Sequence, residues 1–172
     1  PIMFGLDGMN QAAYAAGQPI PNIIGMAFSY SMTIAVLYPA FALAVLIFSK
    51  SNQLKTVGKI SIAPAFFGIS EPLMFGVPVV MNPFMAIPWI ISPMVNVLLG
   101  WLACSSGLVA RYAGVTVFNF PMGVTGILNG SFTIAILEVV VCIIDILIFM
   151  PFVRIQDKKY IDAEKAAETE QN

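Results

Sequence analysis

The sequence predicts an all-α integral membrane protein, with about three transmembrane helices and one re-entrant hairpin. Three observations carry that prediction: a scarcity of charge, long charge-free apolar runs, and a crowding of prolines between two basic clusters. Of the 172 residues, 59% are hydrophobic and 10% charged, against about 25% charged in an ordinary soluble domain, and the mean hydropathy is +0.88. Residues 8–49, 72–110 and 112–137 contain no Asp, Glu, Lys or Arg. A membrane-crossing helix needs roughly 20 apolar residues, and each run exceeds that.

The chain opens at Pro1 with no initiator Met and no charged leader before an apolar core, so a piece of a longer protein is expected. Residues 1–22 mix Gly, Pro, Asn and Gln with short apolar stretches and are expected to form an N-terminal loop region. Residues 23–153 are the expected transmembrane region. Its first span is 23–48, kinked at Pro39, whose backbone neighbouring helices must accommodate. The segment 49–59 carries Lys50, Lys55 and Lys59 without an acid, which the positive-inside rule places in the cytoplasm.

Between residues 61 and 93 stand Pro64, Pro72, Pro78, Pro83, Pro88 and Pro93, too many for one regular helix. Broken backbone survives at membrane depth only where protein or a watery cavity satisfies it, as in transporter hairpins. Further spans are expected at 84–108, with Trp89 and Trp101, and at 128–153, joined by a segment holding Arg111, several glycines and Pro121. The tail, 154–172, turns basic at Arg154, Lys158 and Lys159 and then acidic, so its start is expected in the cytoplasm and its end as solvated helix or disorder. Both basic clusters share a side only if an even number of crossings separates them. Spans 84–108 and 128–153 supply two, so 61–82 must enter and leave on one side, as a re-entrant hairpin.

The composition also excludes functions. A net charge of −1, with no basic stripe interleaved with aromatics, lacks the footprint of nucleic-acid binding. There is no His, and Cys104 and Cys142 lie in separate apolar runs, so inert buried thiols are expected, with neither a metal site nor a cofactor.

Glu71, in Gly68-Ile69-Ser70-Glu71-Pro72, is the sole charged residue between Lys59 and Arg111. A lone carboxylate at that depth is costly: it is either a cap or buried neutral acid, or an acceptor or base facing a polar substrate, and the second reading is preferred. Glu138 and Asp145 lie seven residues apart on one face of the last span, as a packed polar stripe or an ion route, the structural reading being preferred. Arg111 reads as an interfacial, snorkelling residue without a chemical role. Phe118, Asn119 and Phe120 could stack a sugar ring or anchor a helix end.

The run Phe66-Phe67-Gly68-Ile69-Ser70-Glu71-Pro72-Leu73-Met74-Phe75-Gly76-Val77-Pro78-Val79-Val80-Met81-Asn82-Pro83 resembles the signature of lactose/cellobiose-type permeases, roughly N-E-P-x-x-F-G-x-P-x-x-x-N-P. The preceding Phe48–Lys59 segment and the Pro151-Phe152 ending followed by basic residues resemble the same family, over about residues 43–160. The resemblance implies the membrane (IIC) component of the phosphoenolpyruvate-dependent sugar phosphotransferase system, C-terminal half only. It would be a multi-pass protein of the bacterial inner membrane, its C-terminus cytoplasmic, homodimeric at full length, with a separate cytoplasmic IIB protein as phosphoryl donor. The substrate implied is a β-linked disaccharide such as cellobiose or lactose, or a related oligosaccharide.

In that family the signature Glu, matching Glu71, contacts the sugar near the hydroxyl to be phosphorylated. Glu71 is thus the expected catalytic residue, and Ser70, Glu71, Asn82, Asp7, Phe118 and Asn119 the expected sugar contacts. Ser70 stands where the family has Asn. In Phe4-Gly5-Leu6-Asp7-Gly8, Asp7 stands where the family has His, and Phe118-Asn119-Phe120-Pro121 replaces a P-W-T-T segment. These departures keep two other readings in view: a divergent membrane protein binding a solute or partner without phosphotransfer, and an ion-coupled carrier using Glu138 and Asp145.

Overall fold

The computed structural model describes residues 2–77, 79 and 82–170. Pro78, Val80 and Met81 of the signature run, and the end of the tail at Gln171 and Asn172, lie outside the described residues. The described elements are helices: α1 (Ile2–Ala15), α2 (Met26–Tyr30), a π-helical turn (Ser31–Ala35), α3 (Leu37–Phe48), α4 (Asn52–Phe66), α5 (Glu71–Gly76), α6 (Pro83–Ser105), α7 (Val124–Leu128) and α8 (Phe132–Glu170). Three of them are long and apolar enough to cross a membrane: Met26–Phe48, Pro83–Ser105 and the stretch beginning at Phe132.

The first of these, α2 and α3 with the π turn between them, is the axis of the fold. Ala40, Phe41, Ala44 and Val45 on α3 are fully buried and pack against α4 and α8. Phe41, Trp89 and Phe149 bring α3, α6 and α8 together, with ring centroids 5.4 Å apart for Phe41–Trp89 and 4.8 Å for Phe41–Phe149. A second core gathers Phe28, Met32, Tyr112, Ile134 and Val141. The outward faces of the same helices remain apolar, as at Ile90, Met94, Leu98, Ile143 and Leu147, which suits lipid as the solvent.

Three features depart from the sequence reading. Residues 1–22, expected as a loop, hold α1 over Ile2–Ala15. Its polar residues face inward: Asp7 and Asn10 are buried while Ile2, Phe4 and Met9 are exposed. Asn10 Nδ2 donates to the carbonyls of Asn22 (2.9 Å) and Tyr112 (3.1 Å), and Asn22 N donates to Asn10 Oδ1 at 3.0 Å. Side chains that resemble loop chemistry are here the docking face of a helix.

The basic segment 49–59 is also mostly helical. Ser51 caps α4, its hydroxyl accepting from Leu54 N, and α4 runs through Pro64 so that the break falls at 67–70 rather than at residue 61. The last helix starts at Phe132 and continues without interruption to Glu170. At 39 residues it is roughly 58 Å long, well beyond a hydrocarbon core of about 30 Å, so the tail from Arg154 extends the spanning helix.

The hairpin is closed at its base by that extension. Where the chain enters α4, Ser51 Oγ donates to Asp157 Oδ1 at 2.7 Å, and where it enters α6, Asn82 Nδ2 donates to Gln156 Oε1 at 2.9 Å. Entry and exit therefore meet adjacent residues of one helix, so the chain between them leaves that helix and returns to it.

Candidate functional site

The hairpin tip is made by a helix stop followed at once by a helix start. After Pro64 the last turn of α4 closes with Phe67 N and Ile69 N donating to Pro64 O (2.9 and 3.0 Å) and Gly68 N to Ala65 O (3.0 Å). Gly68 has φ of +73°, a conformation that costs a residue with a Cβ about 1–2 kcal/mol. Ser70 O then accepts from Leu73 N and Met74 N, opening α5. Glu71 and Pro72 are its first residues, a position where Pro loses nothing and an acid meets the positive helix end. The Glu71 side chain is exposed and has no hydrogen bond or ion pair among the described residues.

A second backbone segment comes to the same place. Asn119 N donates to Tyr30 Oη at 2.8 Å, and the Phe118 ring stands edge-on to Tyr30 with centroids 5.1 Å apart at 88°. Asn119 takes the left-handed conformation, φ 58°, which Asn tolerates better than most residues. A methyl group on Gly68 would stand 2.9 Å from Tyr30 Oη and 3.6 Å from Asn119 Oδ1. Tyr30 thus braces the 118–119 loop directly against the tip. Ser70, Glu71, Phe118 and Asn119 are brought into one neighbourhood.

Asp7 and Asn82 are placed otherwise. Asp7 is 2% exposed; its Oδ2 accepts from Ala27 N (2.9 Å), in the first turn of α2, and from Thr116 Oγ1 (2.7 Å). Its other oxygen fills the space where a side chain on Gly25 would be. Asp7 therefore holds the loop that leads to Phe118 from beneath. Asn82 caps α6, its Oδ1 accepting from Phe84 N at 3.1 Å, and its amide is committed to Gln156 at the hairpin base.

Glu138 and Asp145, the two acids in the apolar part of α8, are both engaged. Glu138, fully buried, accepts from Ser31 Oγ (2.6 Å), Thr125 Oγ1 (2.5 Å) and Gly123 N (2.5 Å). It ties α8 to the π turn and to α7. Asp145 Oδ2 accepts from Asn96 Nδ2 at 2.7 Å, and the same amide donates to Met32 O at 3.0 Å, a carbonyl within the irregular π segment. Among the described residues no group of three His, Cys, Asp or Glu could hold a metal ion. Both cysteines are buried and free, and Arg111 is fixed by the carbonyls of Ile20 and Pro21.

Tyr30, Thr116 and Gln156 were not singled out by sequence. The available signal was a run of hydroxyls inside an apolar span, Ser29-Tyr30-Ser31 and Thr33, since polar side chains at membrane depth need a partner.

Comparison with known proteins identifies the family. Residues 1–93 match the family model described as phosphotransferase system, EIIC. The chain is 37% identical over 171 residues to the oligo-beta-mannoside-specific EIIC component of Bacillus subtilis, covering 96% of this chain and 39% of that protein. It is 34% identical to the lichenan permease IIC component of the same organism, covering 98% of this chain and 38% of that one. The lactose-specific EIICB component of Lacticaseibacillus casei is 33% identical, with coverage of 98% and 30%. The crystal structure of the transporter ChbC, the IIC component of the N,N'-diacetylchitobiose-specific system, superposes with a TM-score of 0.90 at 37% identity, covering 96% of this chain and 40% of that one. The chain thus spans about two fifths or less of the length of these relatives. On the family match and these identities, it belongs to the EIIC family of the phosphotransferase system.

Proposed function

We propose that this chain is the sugar-handling part of a permease that takes up a β-linked disaccharide, or a related oligosaccharide, and presents it for phosphorylation by a separate IIB protein. The observation that carries the proposal is Glu71: an exposed carboxylate at the hairpin tip, without a partner among the described residues, beside the Tyr30-braced Phe118–Asn119 loop. The relatives' names refer to oligo-β-mannosides, lichenan, lactose and N,N'-diacetylchitobiose, all β-linked saccharides, which supports that substrate class.

In this reading Glu71 accepts a hydrogen bond from one sugar hydroxyl and orients it. As that oxygen takes the phosphoryl group and the bond to the IIB donor breaks, the hydroxyl proton passes to the carboxylate. Phe118 offers an apolar face to the pyranose ring, while Ser70 and the Asn119 amide offer short polar contacts. The chain's own contribution is positioning more than covalent chemistry. The hairpin base, both basic clusters and the α8 extension lie on the cytoplasmic side of the bacterial inner membrane, and the full-length protein is a homodimer.

The test uses membranes containing the full-length protein and a IIB partner, with radiolabelled β-linked and α-linked disaccharides. Phosphorylation confined to β-linked sugars and dependent on IIB is expected. A sugar that binds yet is never phosphorylated would favour a solute-binding protein, the reading prompted by Asp7 in the family's His position.

A further inference from the structure

A second site stands at the base of the molecule, where the apolar span Met26–Phe48 ends. A groove of about 400 Å³ opens there between the end of α3 and the α8 extension. Three cations line it: Lys50, Arg154 and Lys158. None of the three has an ion-pair partner among the described residues.

The one acid in the groove, Asp157, is already answered. Its Oδ2 accepts from Lys50 N at 2.8 Å, and its Oδ1 from Ser51 N (2.9 Å) and Ser51 Oγ (2.7 Å), at the positive N-terminal end of α4. Arg154 lies with its guanidinium carbon 5.1 Å from the centre of the Phe48 ring, an arrangement that orients the group while leaving N–H donors at its edge. The remaining wall is apolar, formed by Phe48, Ile161 and Ile47, the last 58% exposed on the outer face of the span.

We infer that this groove binds the phosphate headgroup of an anionic phospholipid. The cations meet the phosphate, and Ile47 leads its acyl chain down the outer face of α3. A free anion would use the three charges but has no need of the apolar wall that runs from them onto the span. A docked protein would meet the α8 extension and not the membrane-facing side of Ile47. Basic pockets at the ends of spanning helices recognise headgroups in this manner. Because the ligand also touches Lys50 and Arg154, it would pin α8 to the entrance of α4, and so steady the base of the hairpin.

The test is lipid retention by the purified full-length protein, read by native mass spectrometry after exposure to equal phosphatidylglycerol and phosphatidylcholine. The wild type is expected to retain phosphatidylglycerol selectively. Lys158→Gln should reduce retention roughly fivefold, and Lys50→Gln/Arg154→Gln/Lys158→Gln further, while Lys55→Gln/Lys59→Gln, exposed lysines of α4 outside the groove, should leave it unchanged. Equal loss in that control pair would reduce the effect to general surface charge and overturn the site. Retention without preference for phosphatidylglycerol, or displacement by millimolar inorganic phosphate, would overturn the lipid assignment in favour of a free anion. The single Lys158→Gln variant decides the matter should the triple variant fail to fold. The readout needs neither sugar nor IIB, so its failure is separable from failure of the permease reading.

Discussion

Single residues divide into those that build the tip and those that are free to work there. Glu138 belongs to the first group, since three donors converge on a carboxylate with no solvent contact. Glu138→Ala leaves the Ser31 and Thr125 hydroxyls and Gly123 N–H unsatisfied and should destabilise by about 2–5 kcal/mol. Glu138→Gln, which keeps an acceptor, should cost less. Thermal unfolding in one detergent separates the two variants, and an equal loss would contradict the role of the acceptor oxygens. Tyr30 belongs to the boundary between the groups. Tyr30→Phe keeps the ring packed on Phe118 but removes the oxygen that accepts from Asn119 N, a hydrogen bond worth about 1 kcal/mol. The KM for sugar should rise about fivefold, with little change in thermal stability. An unchanged KM would place the 118–119 loop away from the substrate.

At the scale of elements, the hairpin depends on a stop and a start separated by only four residues, 67–70. Gly68→Ala forces a Cβ into a left-handed residue and against the Tyr30 hydroxyl, so stability and phosphorylation should fall together. A variant with wild-type activity would show that the tip relaxes freely. Much of this element was legible in the sequence: Gly68 where the helix stops, Pro72 and Pro83 at the starts of the next two helices, and the isolated Glu71 at the break are local signals, whereas Pro64, Pro88 and Pro93 lie inside helices that continue through them. What was not legible depended on partners far along the chain. Asp7 and Asn10 look like loop residues because their partners, Thr116 and the Tyr112 carbonyl, lie 109 and 102 residues away. For the same reason Asn82 resembled a sugar contact, whereas its amide is spent on Gln156, 74 residues on. The sequence left helix or disorder open for the tail, and α8 takes the helical alternative past Pro151, because the switch from apolar to charged sequence marks the end of a membrane span without ending a helix.

For the whole molecule, the arrangement reduces to a hairpin whose two ends share one helix and whose tip meets the Tyr30 brace. Fifteen residues of α4 carry the chain roughly 22 Å from Ser51 to the Tyr30 brace. If entry and exit share a face of the membrane, Lys55→Cys and Lys159→Cys should react with an impermeant maleimide from the same side of sealed vesicles, and labelling from opposite sides would contradict the topology. The central claim concerns the carboxylate at the tip. Its most direct test is IIB-dependent phosphorylation of a radiolabelled β-linked disaccharide by the full-length protein, comparing wild type with Glu71→Gln. Because the Glu71 side chain has no hydrogen bond or ion pair among the described residues, the variant should stay within about 1 kcal/mol of wild-type stability, losing only the charge at the α5 start, while phosphorylation falls by about 10²-fold or more. Phosphorylation at the wild-type rate in Glu71→Gln would contradict the account.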